Sequence, residues 1–328
     1  MSLVFLTFCS IYGIISYTLG GMVMSEDKII EKKYLLHLLE LNKLDVPFMI
    51  QEAFLAYRYR KRNKSLYDDD AVIPTKLIRM YYELKPGEIE FDAMKKNFIK
   101  KYVLNESKIE GVNDEDIHGH EEVLGLADMY EYLHSDECEK YFSVYTLKDL
   151  HRQLFSHAAF PEYGGTYRNQ DVYLIGSKVG LCDYSMIQTE LYKLSPRIDW
   201  LHDYSKEVKE SSDVDMMLDY LDQVVELKCA LIKIHPFGDG NGRTVRAFIN
   251  KLLEDGGLPP IYIKANERTE YHQAMNKANG EDADFSDIKA FYRYKICDSI
   301  LELDINDRLR KEHQEVIEKE KAKQKLKR

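Results

Sequence analysis

The chain has 328 residues, enough for one large domain or two ordinary ones, and its 45% hydrophobic and 31% charged content is too apolar for disorder. A formal net charge of -10 speaks against a broad nucleic-acid surface, which would show a basic balance. Cys9, Cys138, Cys182, Cys229 and Cys297 are scattered without a C-x-x-C pair, so a reducing, cytoplasmic setting is expected, with neither a disulfide framework nor a structural metal.

Residues 1–25 carry no charged side chain and are long enough to cross a bilayer. Two readings stand: a membrane tether through residues 3–24, or a start assigned too early, with translation from Met22 or Met24. Residues 26–115 form an N-terminal helical region. Ile30, Tyr34, Leu38 and Leu41 recur at helical spacing, Pro47 interrupts, and the basic aromatic run 57–64 is a solvated helix end. Further helices are predicted over Thr75–Leu84 and Phe91–Ile109, the second stopping at Glu110 and Gly111.

Residues 116–305 form the catalytic core of the prediction. Helices are expected over Glu121–Leu133 and Tyr145–Phe155, with Leu147, Leu150, Leu154 and Phe155 sharing a face. His118 and His120 lack a third ligand and are taken as solvated. Gly164-Gly165, the β-prone Val172, Tyr173, Leu174 and Ile175, and the turn Gly176-Ser177 predict a β-hairpin, whose open edge suits an added strand. Helices then follow over Met186–Tyr204 and Val214–Ile234, separated by the polar run KEVKESSD. Another covers Arg243–Glu254 and stops at Gly256-Gly257. LPPIYIK is an extended connector, and YHQAMNKAN and FSDIKAFYRYKICDSILEL are helical. Residues 306–328 are a charged helical tail. The fold class expected is mostly α, a helical core with a small β-hairpin flap.

The chemistry concentrates in LIKIHPFGDGNGRTVRAFIN, Leu231 to Asn250. A helix N-terminus presents unpaired N–H groups and the positive end of its dipole, so it binds anions. Gly240 and Gly242 allow the backbone to approach and to take positive φ, which turns successive N–H groups toward one phosphate. Arg243 and Arg246, three apart, share a helix side and can fork onto the same anion. Asp239 beside a polyphosphate implies Mg²⁺ between them. Asn241 adds an amide donor, and His235 stands outside the nest as a general base. The pattern is neither a Walker A loop nor a dinucleotide fingerprint. Nest, metal carboxylate and base together describe phosphoryl or nucleotidyl transfer to a hydroxyl.

The run from His235 to Arg246 resembles the signature H-x-F-x-D/E-G-N-G-R-x-x-R of the Fic domain family, and the similarity extends over roughly residues 100 to 300. The resemblance implies a helical core with a hairpin flap and transfer of AMP from ATP to a Ser, Thr or Tyr hydroxyl of a target protein. It casts His235 as the base, Asp239 as the Mg²⁺ ligand, and Gly240, Asn241 and Gly242 as α- and β-phosphate binders. Arg243 and Arg246 fall on the outer phosphates, and Phe237 packs beneath the loop. Residues 172–175 become the flap on which the target protein docks. Tyr271, His272 and Asn279 become the adenine pocket, although a histidine follows Tyr271 where a second tyrosine is usual.

Family members with an autoinhibitory helix carry S/T-x-x-x-E-G/N. Glu110 and Gly111 match its end and assign Glu110 to Arg246, while Glu106 stands where Ser or Thr is expected. Alternatives within the fold are a phosphotransferase, disfavoured by Gly242 where those relatives have lysine, and an AMP-removing enzyme. A non-catalytic ATP-sensing module is the third. ATP is the expected substrate and Mg²⁺ the cofactor. A homodimer is left open, and no nucleic-acid partner is expected.

Overall fold

The computed structural model describes residues 75, 78–79, 91–110, 117–173, 179–211 and 213–300. The apolar segment 1–25, the helices expected over 26–59, most of the one over 75–84 and the charged tail lie outside those residues. So do the side chains of His118 and His120.

Among the described residues the architecture is helical. It comprises α1 (Phe91–Glu110), α2 (Ile117–Leu133), α3 (Asp136–Tyr141), α4 (Thr146–Leu154), α5 (Ile187–Ser211), α6 (Val214–Ile234), α7 (Asn241–Asp255), α8 (Arg268–Ala278) and α9 (Ser286–Ser299). No strand is assigned among them. Val172 and Tyr173 have no ladder partner, Tyr173 is 89% exposed, and residues 174–178 fall outside the description, so the expected hairpin is not found as paired strands. No described helix is long and apolar enough to cross a membrane.

Helix α7 is the centre, packed by α2, α4, α5 and α6. Every residue from Arg243 to Leu253 is buried. Val245, Phe248, Ile249, Leu252 and Leu253 supply the apolar face that the sequence predicts, but burial extends to the polar side too. A buried polar group needs a partner, because leaving it unpaired costs about 1–3 kcal/mol. Asn250 meets this need by exchanging two hydrogen bonds with the backbone of Ile261, at 2.9 and 3.0 Å. Lys251 lies between Glu139 and Asp255.

One boundary and one short helix depart most from the sequence reading. Helix α5 does not stop at Tyr204 but runs through the polar stretch to Ser211, because Leu201, Ser205 and Val208 keep helical spacing and are all buried. It also keeps Pro196 in its interior. The six-residue α3 is too short to show a period; the hydroxyl of Ser135 caps it by accepting from the N–H of Cys138.

Helices α2 and α4 meet at Gly125, where an added Cβ would stand 2.0 Å from the carbonyl oxygen of Leu154. That backbone cannot yield without shifting α4, which carries His151 into the site. Gly125→Ala should therefore lower unfolding free energy by about 3 kcal/mol, the upper range for overpacking, measurable by urea titration.

Candidate functional site

The site is the connection from α6 to α7. Helix α6 ends with His235 as its C-cap in the left-handed region, φ 51° and ψ 61°, the one non-glycine with positive φ among the described residues. A side chain there stores roughly 1–3 kcal/mol of strain, which surrounding contacts must hold. Arg168 provides such a contact. Its buried guanidinium donates from Nε to the carbonyl of His235 at 2.8 Å and from Nη1 to that of Gln170 at 2.9 Å, with Nη2 on Cys182. Its own N–H donates to Pro236 at 3.0 Å. Nothing in the sequence marks Arg168, since an arginine in an exposed-looking turn carries no pattern.

The ring of His235 has Nδ1 3.3 Å from the carbonyl oxygen of Ile232. A carbonyl only accepts, so this contact puts a proton on Nδ1, as the tautomer of a general base acting through Nε2 has it.

Below the loop, Phe237 is fully buried and stacks on His151 with centroids 3.8 Å apart and planes at 13°. His151 is a second residue that periodicity does not single out. Its Nδ1 accepts from the N–H of Gly165 at 2.8 Å, so Nε2 carries the proton and donates to the carbonyl of Asp239 at 3.0 Å. Burial pushes its pKa from 6.5 down to about 4, with the hydrogen bond to Asp239 opposing, so it is a neutral scaffold at physiological pH.

Gly240 is the N-cap of α7 at φ 72°. A Cβ there would lie 2.8 Å from Phe155 and 2.9 Å from Leu154, so space and φ both demand glycine. Asn241 ties the loop together. Its side-chain oxygen accepts from the N–H of Phe237 at 2.9 Å and its amide donates to the carbonyl of Phe237 at 2.8 Å. The amide therefore closes the loop through its oxygen and one of its two N–H groups, and the backbone N–H groups of Asn241 and Gly242 stand at the start of α7.

Both arginines lie beneath this nest, nearly buried, and both meet carboxylates. Arg243 reaches Glu122 of α2 at 2.7 Å and Asp239 at 3.1 Å. Arg246 is held by Glu106 of α1, at 2.6 Å from Nη2 and at 2.7 and 2.9 Å from Nε. Glu110 is the last residue of α1, four positions on; its side chain lies outside the described residues.

Asp239 is exposed, and the described residues contain no group of three His, Cys, Asp or Glu able to hold a metal. One open carboxylate fits Mg²⁺, a cation that takes one or two protein carboxylates and completes its shell with substrate phosphates and water.

Of the residues expected on the adenine side, Tyr271 is 3% exposed; its hydroxyl accepts from the buried Lys228 at 2.6 Å and its ring packs on Phe291. Asn279 is buried at the C-cap of α8, and His272 is the exposed ring of the pair. A groove of about 440 Å³ is lined by Gly180–Asp183, by Met186 and by Lys233 and Ile234 at the end of α6.

His151 carries a pH signature. Between pH 6.5 and 4 the unfolded chain binds a proton at this imidazole and the folded chain does not. Its contribution is present in full above the upper value and is lost as pH falls, by about 3 kcal/mol in total. Unfolding free energy measured across that range should drop accordingly, and His151→Gln should remove this part of the slope.

A family model described as the Fic/DOC family matches residues 141–253. Protein adenylyltransferase Fic of Nematostella vectensis is 30% identical over 178 residues, 53% of this chain and 37% of that protein. Its counterpart from Culex quinquefasciatus is 31% identical over 187 residues, 56% and 33% of the two chains. The chain thus spans about a third of the length of these curated relatives. Among solved structures, Fic-1 from C. elegans superposes with a TM-score of 0.56 at 21% identity, covering 76% of each chain. A Fic domain containing signaling protein from Bacteroides thetaiotaomicron gives 0.53 at 16% identity, over 70% of this chain and 95% of that one. Residues 141–253, which build the loop and the helix behind it, are thus similar to the Fic/DOC family, and the helical fold around them is shared with solved Fic proteins.

Proposed function

We propose that the chain is a protein adenylyltransferase, transferring AMP from ATP to a Ser, Thr or Tyr hydroxyl of a target protein. The observation that carries this reading is the left-handed Gly240 at the head of α7, flanked by His235 and backed by Arg243 and Arg246. Such a turn aims consecutive N–H groups and the positive helix end at one place, which suits the phosphates of a nucleotide. The names of the relatives, protein adenylyltransferases, agree with it.

In the proposed reaction Nε2 of His235 takes the hydroxyl proton as the oxygen attacks the α-phosphorus. The bond to the bridging oxygen breaks and pyrophosphate leaves, so the proton ends on the imidazole and the negative charge on pyrophosphate. The N–H groups at the start of α7 hold the α- and β-phosphates, and Arg243 and Arg246 serve the outer ones. Mg²⁺ held by Asp239 would neutralise phosphate charge. Tyr271, His272 and Asn279 belong to the adenine side in this reading, with His272 the ring exposed for stacking. The target segment docks along residues 172–175.

Autoinhibition by Glu110 against Arg246 is part of the proposal, supported by the position of Glu110 at the end of α1, whose Ile109 is buried in the core. Transfer of AMP is favoured over phosphoryl transfer by Gly242, which leaves the loop without a lysine.

Incubation of the full chain with ATP labelled at the α-phosphate should give labelled protein, and label at the γ-phosphate should not. His235→Ala should lower that signal by at least about a hundredfold, the usual contribution of a general base, while ATP binding persists. Glu110→Gly should raise it; label that follows the γ-phosphate would replace this reading with phosphoryl transfer.

A further inference from the structure

We propose that Lys228 is a positioning residue for the nucleoside half of the substrate: it pins the rotation of α8 against α6, holds His272 in place through Tyr271, and so makes the site prefer a polyphosphate that carries a base over a bare one. The inference rests on the nucleotide reading above and goes beyond it, since the sequence pattern assigns Lys228 no role.

Lys228 stands on α6, two turns before His235, and is completely buried. Its amino group donates to the hydroxyl of Tyr271 at 2.6 Å and lies 3.1 Å from the sulfur of Met275. It is 4.3 Å from the centre of the Tyr271 ring and 5.2 Å from that of Tyr292 on α9. Among the described residues it forms no ion pair with a carboxylate. Burying a lysine without a carboxylate is costly, and a methionine of similar length would fill the same space at less cost. What a buried polar contact supplies instead is a defined register between the helices it joins.

Helix α8 needs such a contact. It packs on α9, and its buried stripe is Tyr271, Ala274, Met275 and Ala278. Two of these are alanines and one is a flexible methionine, side chains that fix the rotation of a helix only loosely. Tyr271 and Met275, one turn apart, are the two that Lys228 holds. His272 follows Tyr271 and is exposed, with the ring centres 5.3 Å apart and the planes at 54°. Successive residues of a helix point about 100° apart, so a rotation of α8 that frees Tyr271 from Lys228 carries His272 with it. The N–H groups at the head of α7 belong to a different connection, so losing Lys228 weakens the hold on the base and spares that on the phosphates.

The test is equilibrium binding of ATP and of inorganic tripolyphosphate, by calorimetry on the full chain, to the wild type, to Lys228→Met and to the double variant Lys228→Met/Tyr271→Phe. Lys228→Met should weaken ATP at least about fivefold, the low end of what stacking a base on an aromatic ring contributes, and change tripolyphosphate less than about twofold. In a His272→Ala background the same substitution should leave ATP binding as it was, because its effect passes through that ring. The double variant also removes the hydroxyl that Lys228→Met leaves unpaired, so it should melt no lower than the wild type and still show the loss of ATP affinity. Unchanged ATP affinity in either folded variant would make Lys228 an ordinary packing residue and overturn the proposal, as would equal weakening of ATP and tripolyphosphate. If the wild type binds tripolyphosphate as tightly as ATP, the base contributes nothing and only this inference fails. If neither ligand binds any of the chains, the nucleotide reading fails and this one with it.

Discussion

The side-chain amide of Asn241 closing on both backbone groups of Phe237 is the contact on which the site depends. A helix that begins in the interior of a protein starts with N–H groups that have no partner within the helix. Here the first residue of α7 spends its amide on the preceding loop, so the chain turns back on itself within five residues. Gly240 then takes the left-handed conformation that no side chain could take in that space. The N–H groups at the head of α7 are thereby aimed as a set. His151 and Phe237 form the floor, and neutral His151 ties the loop to Gly165 without adding a charge beside the nest.

The charge balance around α7 follows from its central position. A helix buried on all sides can keep two arginines only if other elements bring carboxylates to them. Glu122 of α2 and Glu106 of α1 do so, and Asp239 reaches back from the loop to Arg243. The same groups that make the helix tolerable in the core are those that a polyphosphate would have to displace. Arg243 and Arg246 are thus tied to carboxylates that the packing of α1 and α2 brings to them.

Helix α6 contributes a comparable arrangement where it meets α8. Lys228 is wholly buried, donates to the hydroxyl of Tyr271 and lies 4.3 Å from the centre of its ring. This fixes Tyr271 within the packing of α6, α8 and α9 and leaves His272 as the exposed ring. The helical spacing agrees with this packing, since Tyr271, Ala274, Met275 and Ala278 form the buried stripe of α8.

What the sequence determined by itself was local. Periodicity placed α1, α2, α4, α6 and α7 to within a few residues, and the spacing of glycines, arginines, Asp239 and His235 identified the loop, because both signals depend on neighbours along the chain. The polar end of α5 was lost because charged residues outnumber the three buried positions that carry the helix to Ser211. Arg168, His151 and Glu106 were decided only by tertiary structure. They act on atoms 67, 88 and 140 residues away in the chain, and no local pattern encodes such a distance. The sequence wrote the glycine-rich loop and its two arginines, while folding chose the carboxylates that close on them.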